Sequence, residues 1–219
     1  MTFIKRFSNL FFLVAISSTC FAQNGGMEIQ DHLLIRESRR FTRDTQEARY
    51  EGSPYMNDEF RQAFVHSGNL KFQGVPMRYN VVEDVMEFQN GALTYLLDPD
   101  PKIARIELGE ETFVVPRMHK SFYVSHKTGN LSLLSKSVVN LRPANDLMGI
   151  PAKYGRQPDV YYFMLGDSQP VKVSGLKGFL ELIPGKKKEM EKFARDEKIS
   201  FRNKGDLLKL VEHFNSISM

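Results

Sequence analysis

From Phe60 to Val173 the apolar residues fall into short alternations, interrupted every ~8 to 12 residues by Gly, Asn or Pro, as antiparallel strands joined by tight turns require. The stretch from Val75 to Leu97 is regular enough to set a register. Turns at Glu83-Asp84 and Asn90-Gly91 place Val81 opposite Met86, Tyr79 opposite Phe88, Phe88 opposite Leu93 and Met86 opposite Tyr95. One face of this meander then carries Met77, Tyr79, Val81, Met86, Phe88, Leu93, Tyr95 and Leu97, and the other Arg78, Asn80, Glu87, Gln89 and Thr94. Both turns give the same division, and a one-residue slip in either would put Glu87 among the aromatics.

The same device recurs further on. Ile103 to Val115 turns at Gly109-Glu110 and sets Ile106 against Phe113, and Phe122 to Val139 turns at Thr128-Gly129-Asn130. After a Pro-rich connection holding Pro143, Pro151 and Pro158, Tyr161–Leu165 and Val171–Val173 form a hairpin turning at Gly166-Asp167. The period then becomes helical. Ser174 is placed to cap a helix through Leu176, Phe179, Leu180 and Ile183, which Pro184-Gly185 ends. Lys186 to Lys198 reads as a second, strongly charged helix. Asp206 to Ile217 reads as a third, with Leu207, Leu208, Leu210, Val211 and Phe214 on one stripe and Asn203 as its cap. The expected fold is α+β and mainly β: an antiparallel β-meander, as a sandwich or partial barrel, over residues 60–173, followed by two or three helices in 174–219.

The N-terminal part lacks these patterns. Lys5 and Arg6 precede the apolar run Leu10–Ile16, and Cys20-Phe21-Ala22 puts small residues three and one before the Ala22–Gln23 bond. That is a secretory signal peptide over residues 1–22, cleaved after Ala22; its apolar core is far short of the ~20 residues that span a bilayer. Lipidation at Cys20 is the rival reading, against which Ser17, Ser18 and Thr19 stand in place of the required Leu and small residues. Residues 23–59 form a polar leader rich in arginine, with Leu33, Leu34 and Ile35 as its one tight apolar cluster. Cys20 is the chain's one cysteine, so cleavage removes the means for disulfides, thiolate metal sites and a cysteine nucleophile together. The compartment expected is a bacterial periplasm, the outer-membrane surface or the medium.

Charge adds little. Cleavage takes the net charge from +4 to +2, and the residues from Val171 onward hold 11 Lys and Arg against 7 Asp and Glu, including Lys186-Lys187-Lys188. Such a run is foremost a solvated helix face and secondarily a patch for anionic surfaces, and no nucleic-acid partner is expected.

A search for chemistry returns one sharp candidate. The five histidines, His32, His66, His119, His126 and His213, hold no i, i+4 pair; His119 and His126 read as solvated strand residues on opposite faces. Gly-x-Ser-x-Gly and Gly-rich phosphate loops are absent, and Asp98-Pro99-Asp100-Pro101 reads as a rigid turn before it reads as a carboxylate pair. No catalytic residue, metal ligand or cofactor site is assigned. Arg78, Asn80, Glu87 and Thr94 should lie together across adjacent strands, with Arg78 diagonal to Glu87, as a ligand-contacting cluster or as a solvated face with one cross-strand ion pair.

At Gly52-Ser53-Pro54-Tyr55-Met56-Asn57-Asp58-Glu59-Phe60, Met77-Arg78-Tyr79-Asn80 and Met86-Glu87-Phe88, and in the tail from Lys186 to Ser216, the chain resembles a family of exported proteins of Gram-negative bacteria that have no known activity. The resemblance implies export and fold and carries over no catalytic residue. The leading functional expectation is a non-enzymatic envelope protein binding another protein or an envelope component, with no transmembrane segment in the mature chain and its oligomeric state open. A carrier sheltering an apolar ligand on the face of residues 77–97 is a second expectation, and a hydrolase with dispersed site residues a third.

Overall fold

Alternating patterns separated by glycine-containing turns give strands, and the computed structural model, which describes residues 35–37 and 50–218, builds them into one large sheet. The strands are β1 (Ile35–Glu37), β2 (Tyr50–Glu51), β3 (Arg61–Ser67), β4 (Leu70–Asn80), β5 (Val85–Asn90), β6 (Leu93–Leu97), β7 (Ile103–Leu108), β8 (Glu111–Val114), β9 (Tyr123–Lys127), β10 (Leu131–Arg142), β11 (Ala152–Leu165) and β12 (Val171–Lys172). Three helices follow: α1 (Leu176–Leu182), α2 (Lys187–Asp196) and α3 (Lys204–Ile217). The class expected from the sequence is the class found: mainly β, mostly antiparallel, with a helical C-terminus and a sheet that does not close. The signal-peptide segment and Cys20 lie outside the described residues. Among the described residues no helix is long and apolar enough to cross a membrane.

From β3 onward the order β1-β6-β5-β4-β3-β7-β8-β9-β10-β11-β12 departs from a simple meander at one place, because β7 returns to pair with β3 and not with β6. Only residues 98–102 join β6 to β7, although β5, β4 and β3 stand between them, so the sheet must fold over itself. The corner is β4. Its first part pairs with β3 and its end with β5, and a bulge between Ala63 and Phe64 of β3 falls at Gly74 of β4, whose φ is +66°. Inside the fold Met77, Tyr79, Met86, Phe88, Leu97, Ile106, Phe113 and Phe122 form one core.

The register of the central hairpins corrects the sequence reading. Tyr79 faces Met86 and Met77 faces Phe88, while Phe88 faces Tyr95 and Met86 faces Leu97, a shift of two residues in each pair. Two physical causes act. The Asn80 carboxamide accepts from the backbone N–H of Val82 and Glu83, each at 3.1 Å, and so builds a longer loop over residues 81–84. In the second hairpin Gly91, with φ of +60°, is the first loop residue and not the second. A two-residue shift keeps every side chain on its face, so the apolar division survives except at Leu93, which is 42% exposed beside the Gly91-Ala92 turn. The Ile106–Phe113 pair and the loop at 128–130 stand as read.

A second core joins Leu131, Leu133 and Phe163 of β10 and β11 to Phe179, Ile183, Met190, Leu207, Leu210, Val211 and Phe214 of the helices. Asn203 caps α3, its side chain accepting from Asp206 N at 3.2 Å, whereas Gly175 and not Ser174 starts α1. The Pro-rich connection is also different from its reading. It is a long two-stranded arm of β10 and β11, with Pro158 at a bulge opposite Ser137, where a missing N–H does no harm, and Leu147 and Met148 exposed at the tip. The leader is not separate from the sheet, since β1 pairs with β6 and β2 runs parallel to β11.

Candidate functional site

Residues 52–58 cross from β11 to the polar face of β4 and β5. Gly52 permits the crossing: its φ is +77°, and a Cβ there would lie 2.5 Å from the Tyr154 carbonyl oxygen. The segment is then tied by Met56 N to Tyr79 O at 3.0 Å and Val81 N to Pro54 O at 2.9 Å. Arg156 of β11 donates to the carbonyls of Tyr55 and Met56 at 3.2 and 2.8 Å. These ties press Tyr55 over the face that the sequence leaves open to solvent.

Beneath it lies the predicted cluster, more deeply buried than expected. Arg78 is directly opposite Glu87, not diagonal to it, and Glu87 has 0% of its surface exposed. Arg78 Nε and Nη2 reach Glu87 Oε2 at 2.9 and 2.8 Å, Nη2 donates to Tyr55 Oη at 2.8 Å, and Nη1 donates to the Asp58 carbonyl at 2.9 Å. Tyr55 Oη in turn donates to Glu87 Oε1 at 3.1 Å, and Asn80 Nδ2 stands 3.5 Å from the same oxygen. The guanidinium also lies over the rings of Tyr55 and Phe60, 3.7 and 4.5 Å from their centroids. A carboxylate so far from water needs this number of donors.

A cavity of about 400 Å³ opens beside the cluster, walled by Tyr50, Tyr55, Tyr154, Arg78, Asn80 and Ser53, with Asp58 and Glu83 also among its lining residues. Tyr50 and Tyr154 stack on each other with centroids 5.4 Å apart. Of the four residues singled out from the sequence, Arg78 and Asn80 wall this cavity and Glu87 is buried beneath them. Thr94 stands apart: it pairs with Gln89, one same-face step from the Glu87–Leu96 pair, and is not among the residues that wall the cavity. Sequence reasoning missed the tyrosines and Arg156, because the contacts that gather them span about a hundred residues. The one local signal was Gly52 and Pro54 among tyrosines in a polar leader.

Two further polar clusters carry a serine beside a base. The Asp84 carboxylate, on a loop residue with φ of +53°, accepts from Tyr79 Oη at 2.6 Å and Phe122 N at 3.2 Å, pairs with Lys136 Nζ at 3.1 Å, and accepts from Ser121 Oγ. Lys136 also donates to Ser121. Ser121 is buried and already donates to a carboxylate, so it is held as a strut between the β4–β5 loop and β10 and not offered as a nucleophile. Burial first, then the Asp84 charge, pushes the Tyr79 phenol well above its ordinary pKa.

His126 Nε2 lies 2.8 Å from Ser135 Oγ, and burial, helped by the charge of Lys204, lowers its pKa to about 4. Ser135 is buried, so no substrate reaches it. His126 is thus a half-buried strand residue and not a solvated one, and His119 sits in the loop before β9, bonded to Tyr123 Oη at 3.1 Å. Asp100 closes its Pro-rich turn by accepting from Lys102 N at 2.8 Å. Among the described residues no group of three or more His, Cys, Asp or Glu is placed to hold a metal ion. No protein-family model, curated protein or solved structure matches the chain.

Proposed function

We propose that this is an exported envelope protein that binds an envelope component in the cleft beside Arg78. The single observation that carries the reading is the joining of an ion pair, the partly buried Arg78 with the fully buried Glu87, to a polar, tyrosine-walled cavity of about 400 Å³. That volume falls within the usual range for small-molecule sites. A wall whose side chains are fixed by one another offers recognition without loss of side-chain freedom on binding. Export rests on Lys5, Arg6, the apolar run and the cleavage site at Ala22, and the resemblance to exported Gram-negative proteins supports the same placement.

The apolar-carrier reading has less support. The Met and aromatic face of residues 77–97 is packed against Ile106, Phe113 and Phe122 as core. The serines that stand beside a lysine or a histidine are buried, which also favours binding over hydrolysis.

Native mass spectrometry of the protein purified from its own envelope tests the proposal. A chain beginning at Gln23 with an added mass, released on denaturation and lost in Tyr154→Ala, is the expected result. A bare chain would sink binding in the cleft, and an adduct that Tyr154→Ala retains would move the site elsewhere.

A further inference from the structure

We propose, on the basis of the binding reading above, that the cleft takes an uncharged sugar unit of an envelope glycan. The charges on its wall argue first. Arg78 is the cation there, and its guanidinium is committed to Glu87, Tyr55 Oη and the Asp58 carbonyl. A phosphate or carboxylate ligand would need a free cation, and would instead enter a cavity whose lining includes two acidic residues, Asp58 and Glu83.

The remaining groups match hydroxyls and C–H faces. Ionised carboxylates are acceptors only, so Asp58 and Glu83 are suited to a ligand that brings several O–H donors. The stack of Tyr50 on Tyr154 leaves the outer face of a ring on which the C–H face of a pyranose can lie, and tyrosine supplies a polar edge to the same surface. Ser53 adds a hydroxyl, although it is already tied to the Asp58 carboxylate. A cavity of about 400 Å³ has room for a sugar of one or two rings and not for a long chain, so the rest of a glycan would lie outside it.

Isothermal titration of the mature protein with four probes tests this: chitotriose and cellotriose as neutral sugars, trilysine as a cation and inorganic phosphate as an anion. At least one neutral sugar should bind, with a loss of at least tenfold in Tyr154→Ala and in Glu83→Gln. Tyr154→Ala keeps the backbone carbonyl and Cβ that Gly52 touches, and Glu83 is an exposed loop residue, so one of the two should retain the wild-type melting curve. Binding of trilysine or phosphate that depends on Tyr154, without either sugar, overturns the sugar and leaves the cleft as a binding site. So does a non-saccharide mass released from the envelope-purified protein. No binding by any probe, together with a bare chain from the envelope, overturns both readings.

Discussion

Arg78 and Glu87 stand opposite each other on β4 and β5, with Nη2 2.8 Å and Nε 2.9 Å from the same carboxylate oxygen. An exposed pair of this kind contributes little, but here the leader has removed the water, and each partner has become necessary to the other. The ion pair therefore couples the sheet to the segment that covers it. Tyr55, through its hydroxyl, is the joint between them.

Arg78→Met should cost about 3–5 kcal/mol, because it leaves the Glu87 carboxylate buried and without its cation. Arg78→Met with Glu87→Leu should cost clearly less than the two single changes added together, since the double variant leaves no uncompensated charge. The chain has no Trp, so urea unfolding is best followed by circular dichroism. Additive single and double effects would show that the pair is not coupled.

Asp84 is a second joint, between the β4–β5 loop and the β8–β9 loop. Asp84→Ala removes the acceptor for Tyr79 Oη and Phe122 N and puts alanine at a φ of +53°, so a loss of about 3 kcal/mol or more is expected. Asp84→Asn keeps an oxygen acceptor and tolerates the left-handed backbone, and should lose distinctly less. Thermal melts of the two variants decide it: equal losses would mean that neither the backbone nor the surviving acceptor matters.

The faces of β4, β5 and β6 were legible because side chains alternate with period two, and an error of two residues in a turn does not move Glu87 or Met86 to the other side. The exact partners were not legible. They depend on whether Asn80 spends its side chain on the loop, a choice that Glu83-Asp84 does not reveal. Arg78, Asn80 and Glu87 could be grouped from one hairpin, but Tyr55 and Tyr154 join them only through the folding of the sheet. Burial misled in the same way: the polar face reads as solvated until the leader is laid across it. The arm of β10 and β11 reads as a loop because Pro143, Pro151 and Pro158 punctuate it, although Pro158 occupies a bulge that strands accommodate.

Gly52→Ala should pull the leader away from β11. The new methyl group would meet a backbone oxygen at 2.5 Å, which cannot swing aside as a side-chain end can, and the φ of +77° adds strain of its own. A loss of about 2 kcal/mol or more is expected, together with faster amide exchange at Met56 and Val81, whose N–H groups hold the segment to β4. Unchanged exchange at those two amides would show that the crossing does not depend on the glycine.

His126 should make stability depend on pH over a defined window. Its pKa in the fold is lowered from 6.5 to about 4, first by burial and then by Lys204, with Asp159 opposing. The unfolded chain then binds the extra proton between these values, so the contribution is fully present above about pH 6.5 and is lost as pH falls towards 4. Because the ring is only partly buried, about 1–3 kcal/mol is the expected size. Carboxylates also titrate in the lower part of this window, so the quantity to measure is the difference between wild type and His126→Gln, taken from urea unfolding at steps of pH. The wild type should lose stability more steeply than the variant as the solution is acidified. Parallel curves would mean that His126 reaches water in the folded protein and that its contact with Ser135 does not hold it neutral.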